Sequence, residues 1–75
     1  MRYPEAFGRT VRRLREERQV SQEAFAADAG ISRTYMSEIE RGVTTVSLDT
    51  IAKLAKALDI SMATLMKYME DSDRR

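Results

Sequence analysis

The 75-residue chain contains no cysteine and no histidine. It therefore has no thiol nucleophile, no imidazole base and neither of the residues that most often hold zinc. Metal-assisted hydrolysis and serine–histidine chemistry are largely excluded on composition, no disulfide can brace the fold, and no metal or cofactor is expected. No apolar run approaches the ~20 residues needed to span a bilayer. The opening residues, Met1-Arg2-Tyr3-Pro4-Glu5, lack the apolar stretch of a signal peptide. A soluble, cytoplasmic domain with no membrane partner is expected.

What remains is 43% hydrophobic and 33% charged, with 13 Lys+Arg against 12 Asp+Glu and a formal charge of +1. That balance argues neither for nor against an anionic partner. The length suits one domain with a small core, so compact helix packing or self-association is the expected source of added stability.

Strand signals are weak, and the apolar period is helical almost throughout. Pro4 suits a first helical turn, and Phe7, Val11 and Leu14 form one stripe on a helix of roughly residues 5–18. Gly8 weakens that helix by about 1 kcal/mol relative to alanine if it is interior. Ser21 caps a second helix, roughly 22–29, burying Phe25, Ala26 and Ala29, and Gly30 stops it. Ser32 caps a third, roughly 33–41, with Met36 and Ile39 inward and Gly42 at its end. Ser47 caps a fourth with Leu48, Ile51, Leu54, Ala55 and Leu58 on its buried side. Ser61 caps a fifth carrying Met62, Leu65, Met66 and Met69. The polar end, Glu70 to Arg75, is expected to fray. No internal repeat is evident. The prediction is an all-α, compact five-helix bundle with one core.

The informative stretch is 21–42. Two short helices meet at a tight turn, Ala26 allows close approach, Gly30 reverses the chain and Ile31 plugs the angle. Thr34, Ser37, Glu38 and Arg41 are left on the outer face of the third helix. This arrangement suits a helix-turn-helix whose second helix offers a polar face to the major groove. Spacing alone also fits an αα-hairpin with a merely solvated face.

The residues resemble the Cro/cI-type (XRE-family) helix-turn-helix regulators of bacteria and phages over residues 9–66, with the helix-turn-helix at 22–41. The resemblance rests on Ser21-Gln22, Ala26, Gly30-Ile31, Ile39-Glu40-Arg41-Gly42 and Ser47-Leu48-Asp49-Thr50-Ile51-Ala52. Residues 67–75 would be the end of the last helix and a charged tail. Arg33-Thr34-Tyr35-Met36-Ser37 is also similar to the recognition helix of controller proteins from restriction–modification systems. A lambda-repressor-like fold and double-stranded DNA as partner are what the resemblance implies. Gln22 would then bond a phosphate at a helix start. Arg33 would pair with guanine O6 and N7, worth roughly 1–3 kcal/mol of discrimination, or contact phosphate instead. Thr34 would meet a thymine methyl or a phosphate. Glu38 would accept from cytosine N4 or repel the backbone, and Tyr35 would reach a phosphate or pack. Ser32, Ser37 and Arg41 complete the expected DNA-binding set. Arg15 and Glu40 stand where relatives carry an ion pair that pins the recognition helix to the scaffold and aims the arginine at the backbone.

The even charge conceals an asymmetry. Residues 1–20 hold six arginines against three glutamates, a balance of +3, whereas 21–42 hold Arg33 and Arg41 against Glu23, Asp28, Glu38 and Glu40, a balance of −2. Phosphate attraction would have to come from the first helix's arginines, Lys53 and Lys56, or helix-start N–H groups. The 42–47 loop, often basic in the family, here carries Val43 and Val46. A shallow salt dependence is expected.

One recognition helix reads only a few base pairs, so a homodimer on a palindromic operator is expected, with half-sites ~34 Å apart. Met62, Leu65, Met66 and Met69, with Tyr68 at the edge, are the expected dimer surface, methionines giving an adaptable one. Core packing is the competing use of that stripe. Charged substitutions at Leu65 or Met69 would then give monomers. The reading is a nucleoid-associated transcriptional regulator, not an enzyme and with no small-molecule effector. The alternative is a protein-interaction module, an antitoxin or adaptor, favoured by the acidic hairpin and apolar loop.

Overall fold

Helix starts and stops written into the sequence set the architecture. A computed structural model describes residues 1–73, with side chains as far as Ser72. Five helices follow in order: α1 (Tyr3–Glu17), α2 (Gln22–Ala29), α3 (Arg33–Arg41), α4 (Leu48–Ala57) and α5 (Met62–Asp73). No strand occurs among the described residues. The all-α, five-helix expectation is borne out.

All four inner helix starts use a serine. The hydroxyl oxygens of Ser21, Ser32, Ser47 and Ser61 accept from the N–H groups of Ala24, Tyr35, Thr50 and Thr64, at 3.0–3.2 Å. Each satisfies a donor that the first turn leaves unpaired. The helix ends are equally regular. A left-handed residue follows α1, α2, α3 and α4: Gln19, Gly30, Gly42 and Asp59, with φ of 57, 72, 73 and 58°. An aliphatic residue comes next, and its N–H reaches back to a carbonyl five residues earlier. These bonds are Val20 to Arg15 at 3.4 Å, Ile31 to Ala26 at 3.0 Å, Val43 to Glu38 at 3.2 Å and Ile60 to Ala55 at 3.0 Å. This is the Schellman closure.

Three joints therefore read left-handed residue, aliphatic, serine: Gln19-Val20-Ser21, Gly30-Ile31-Ser32 and Asp59-Ile60-Ser61. The α3–α4 joint alone inserts Thr44-Thr45-Val46 before its serine. Val20, Ile31 and Ile60 pack against the core, whereas Val43 is 64% exposed.

The core gathers Phe7, Val11 and Leu14 of α1, Phe25 of α2, Met36 and Ile39 of α3, Leu54 and Leu58 of α4, and Leu65 and Met69 of α5. Thr10 is also buried, its hydroxyl donating to the Ala6 carbonyl at 2.9 Å.

Three expectations are corrected. The first helix begins at Tyr3, two residues early, with Pro4 in its opening turn, and ends at Glu17. Leu48 is 74% exposed: it opens α4 beyond the end of the core, and Thr50 is buried in that turn instead. Glu70 to Asp73 continue α5 instead of fraying; Arg74 and Arg75 lie outside the described residues.

Candidate nucleic-acid interface

α3 is short, so its orientation has to come from what grips it. Its N-terminus is capped by Ser32 and its C-terminus by left-handed Gly42. Met36 and Ile39 hold its inner face in the core. Between these points sits a side-on anchor from α1. Arg15 Nε donates to Glu40 Oε2 at 2.7 Å and Nη2 to Oε1 at 3.0 Å. The two side chains are 11% and 4% exposed. Such a parallel, charge-assisted pair fixes direction as well as distance.

The expected pinning of α3 is therefore present in the structure. The third arginine nitrogen, Nη1, donates to the Val20 carbonyl at 2.8 Å, so Arg15 is aimed at the protein's own backbone and is not left for a phosphate. Hydrogen bonding to Glu40 raises the guanidinium above its ordinary value, against the opposing effect of burial, and the charges of Glu40 and Glu16 add to the rise.

On the outer side, Gln22, Arg33, Thr34, Ser37 and Arg41 line one shallow concavity of about 240 Å³. Five of the eight expected DNA-contacting residues are thus brought together, four from one face of α3 and one from the start of α2. Gln22 is held there by a further bond, its Nε2 donating to Glu40 Oε1 at 3.1 Å.

The other three lie outside that lining. Ser32 spends its oxygen accepting from Tyr35 N–H, leaving only its O–H to donate. Tyr35 is half-buried against the core, so packing is the role the structure displays. Glu38 is half-buried on α3.

The acidic balance of 21–42 does not describe this surface. Glu40 is neutralised beneath it by Arg15, and Asp28 shares a separate hollow with Lys53 and Lys56. The concavity itself carries Arg33 and Arg41 and no carboxylate. Nor are the α1 arginines a simple reservoir. Arg12 and Arg13 pair along the helix with Glu16 and Glu17 at 3.4 and 3.6 Å. Arg18 ties α1 to α4, its Nη1 donating to the Leu14 carbonyl and its Nη2 to that of Leu58, both at 3.0 Å. Sequence reasoning missed that tether, and no local pattern signals it.

The expected dimer stripe divides. Leu65 is 0% exposed and Met69 7%; both belong to the monomer's core, because α5 turns them onto α1 and α4. A charge at Leu65 is therefore expected to unfold the domain, not to split a dimer. Met62 and Tyr68 are exposed and Met66 is half-buried. Met66 and Met69 border an apolar groove of about 540 Å³ with Tyr3, Pro4, Phe7, Thr45, Val46 and Ile51.

A helix-turn-helix family model (HTH_3) matches residues 11–65. The chain belongs to this helix-turn-helix family. Among its relatives, control protein C.BamHI of Bacillus amyloliquefaciens is 43% identical over 63 residues, 83% of this chain and 78% of the relative. Control protein C.MunI of a Mycoplasma species is 40% identical over 65 residues, 85% and 88% of the two chains. The crystal structure of the restriction–modification controller protein C.AhdI from Aeromonas hydrophila matches with a TM-score of 0.80 at 44% identity, covering 83% of this chain and 94% of that one. The helix-turn-helix family comprises DNA-binding regulators of transcription and not enzymes. The matched residues include all of α2, α3 and α4.

Proposed function

We propose that this protein is a sequence-specific transcriptional regulator that lays α3 in the major groove of a palindromic operator and binds as a homodimer. The observation that carries the reading is the concavity of Gln22, Arg33, Thr34, Ser37 and Arg41, presented by a helix locked at both ends and braced by Arg15–Glu40. Arg33, exposed in the first turn of α3, is the residue assigned to guanine. Gln22 donates to a phosphate, Thr34 and Ser37 contact base or backbone, and Arg41 contacts the backbone beyond the far end of the helix. The control proteins among its relatives support a controller role beside a restriction–modification system; in this reading it works in the cytoplasm on the nucleoid.

Selection from random duplex pools should return a two-fold-symmetric sequence. Arg33→Ala should then lose about 1–3 kcal/mol, roughly 5- to 150-fold, at one base position while other positions keep their preference. A uniform loss across all sequences would reassign Arg33 to phosphate, and no selected sequence would favour the protein-interaction alternative.

Few cations are available to the duplex, so the salt dependence should be shallow. Counting Arg41, the cation assigned to the backbone, in both protomers gives a slope of log K against log salt of about −2. A slope as steep as about −10 would contradict this.

Dimerisation is assigned to the apolar groove and its rim. Leu48 lies one turn from Ile51 on α4 and extends the groove's apolar face, whereas Met62, one turn from Met66 on α5, lines a separate hollow with Ala52, Lys56 and Asp59. Tyr68 lies beyond Met66 on α5. A second copy covers this face, and protein concentration sets occupancy of the operator without a small-molecule effector. Leu48→Glu or Met66→Glu should fold yet sediment as monomers with weakened operator binding, whereas Leu65→Glu should fail to fold. Wild type that sediments as a monomer at high concentration would remove the dimer from the proposal.

A further inference from the structure

Glu40 Oε1 receives two hydrogen bonds, one from Arg15 Nη2 at 3.0 Å and one from Gln22 Nε2 at 3.1 Å. Its partner oxygen is taken by Arg15 Nε. An ionised carboxylate only accepts, so it selects one of the two orientations of the Gln22 amide. With the amide turned over, the Gln22 carbonyl would face a carboxylate oxygen with no proton between them, and a partly buried donor would be lost. In the orientation present, one N–H is committed to Glu40. The second N–H and the carbonyl oxygen remain for the concavity that Gln22 shares with Arg33, Thr34, Ser37 and Arg41.

We infer that Glu40 is a positioning residue for DNA contact. Through Gln22 it holds a single N–H ready for a phosphate oxygen before the duplex arrives, in addition to fastening α3 to α1. The inference rests on the DNA-reading role proposed above. An amide otherwise free to rotate loses that freedom on binding, and a preset donor avoids the loss. The same carboxylate thus links the scaffold's buried arginine to the duplex: Arg15 orients Glu40, and Glu40 orients Gln22. Gln22 is more than a polar residue at a helix start, because its contribution depends on a side chain 18 positions away.

The test is a double-mutant cycle in the full chain, at a temperature where circular dichroism shows every variant folded. Operator affinity is compared for wild type, Gln22→Ala, Glu40→Gln and the double variant. Gln22→Ala should weaken binding about tenfold in wild type and less than about twofold when residue 40 is glutamine. Equal losses in both backgrounds would overturn the inference while leaving the regulator reading intact. Wild type that selects no duplex would overturn both.

Should Glu40→Gln not fold, the side-chain amide of Gln22 in the free wild-type protein supplies the decisive signal. Its two N–H protons should have widely separated NMR shifts, one protected from exchange, and the other should move on addition of the operator. Two protons at free-amide shifts, both exchanging rapidly with solvent, would overturn the assignment. A purely structural role for Glu40 would leave those protons unaffected.

Discussion

Gly8→Ala is expected to lower the stability of this domain by about 2–3 kcal/mol, although alanine is the better helix former. Helix propensity alone predicts a gain of about 1 kcal/mol. The structure reverses that sign, because α1 and α3 cross at Gly8. A Cβ placed there would drive into the carbonyl oxygen of Ile39 and lie 2.9 Å from that of Glu40. Both are main-chain atoms of a helix and cannot swing aside as a side chain would. The helices must separate, and overpacking of this kind typically costs about 1–3 kcal/mol or more. For a domain of this length the thermal midpoint should fall by roughly 10–20 °C. Gly30→Ala is the control: its Cβ meets nothing within 4 Å, and only the φ of 72° opposes it, so about 1–2 kcal/mol should be lost to the left-handed backbone. A Gly8→Ala melt at or above the wild-type midpoint would show that the crossing is looser than described. Because Glu40 lies at the point of collision, operator affinity should fall along with stability.

That reversal marks where sequence reasoning stops. The serine caps and the two glycine stops could be read directly, since residue type alone favours those backbone states. Gln19 and Asp59 could not, because neither demands a positive φ. The left-handed turn there is enforced by the back-bonded N–H and by burial of the aliphatic residue that follows. Leu48 continues the periodic stripe of Ile51, Leu54 and Leu58, yet periodicity does not say where the core ends, and the stripe outruns it. The same blindness placed Leu65 and Met69 between two protomers when they lie within one. At the site, five of the eight residues named from spacing and resemblance share one surface, because a helix face follows from sequence position. The count of charges misled, since it could not know that Glu40 sits beneath the surface against Arg15 or that Asp28 sits beside Lys53 and Lys56. The bond from Gln22 to Glu40 joins residues far apart in sequence, and no local signal announces it.

Removing either member of the Arg15–Glu40 pair is expected to produce the larger loss, about 3–5 kcal/mol, because the survivor is left as an uncompensated buried charge. That approaches the whole stability of an ordinary small domain, so Arg15→Met and Glu40→Leu should each be largely unfolded at 37 °C. The double variant should recover much of the loss, since replacing a buried ion pair by packed apolar side chains is often nearly neutral. Thermal or urea melts of the four proteins measure this coupling, and additive losses would show the pair to be two independent charges. Arg15's folded value is raised, so its contribution is complete below its ordinary value and lost only as pH climbs through the raised one. Stability and operator binding should then part company in the double variant. A restored fold returns α3 to the scaffold, but leucine at position 40 offers Gln22 no acceptor and Val20 loses the Nη1 donor. The double variant should melt near wild type and still bind its operator more weakly. Full recovery of both properties would mean that packing alone orients α3, and that the charge beneath Gln22 is dispensable.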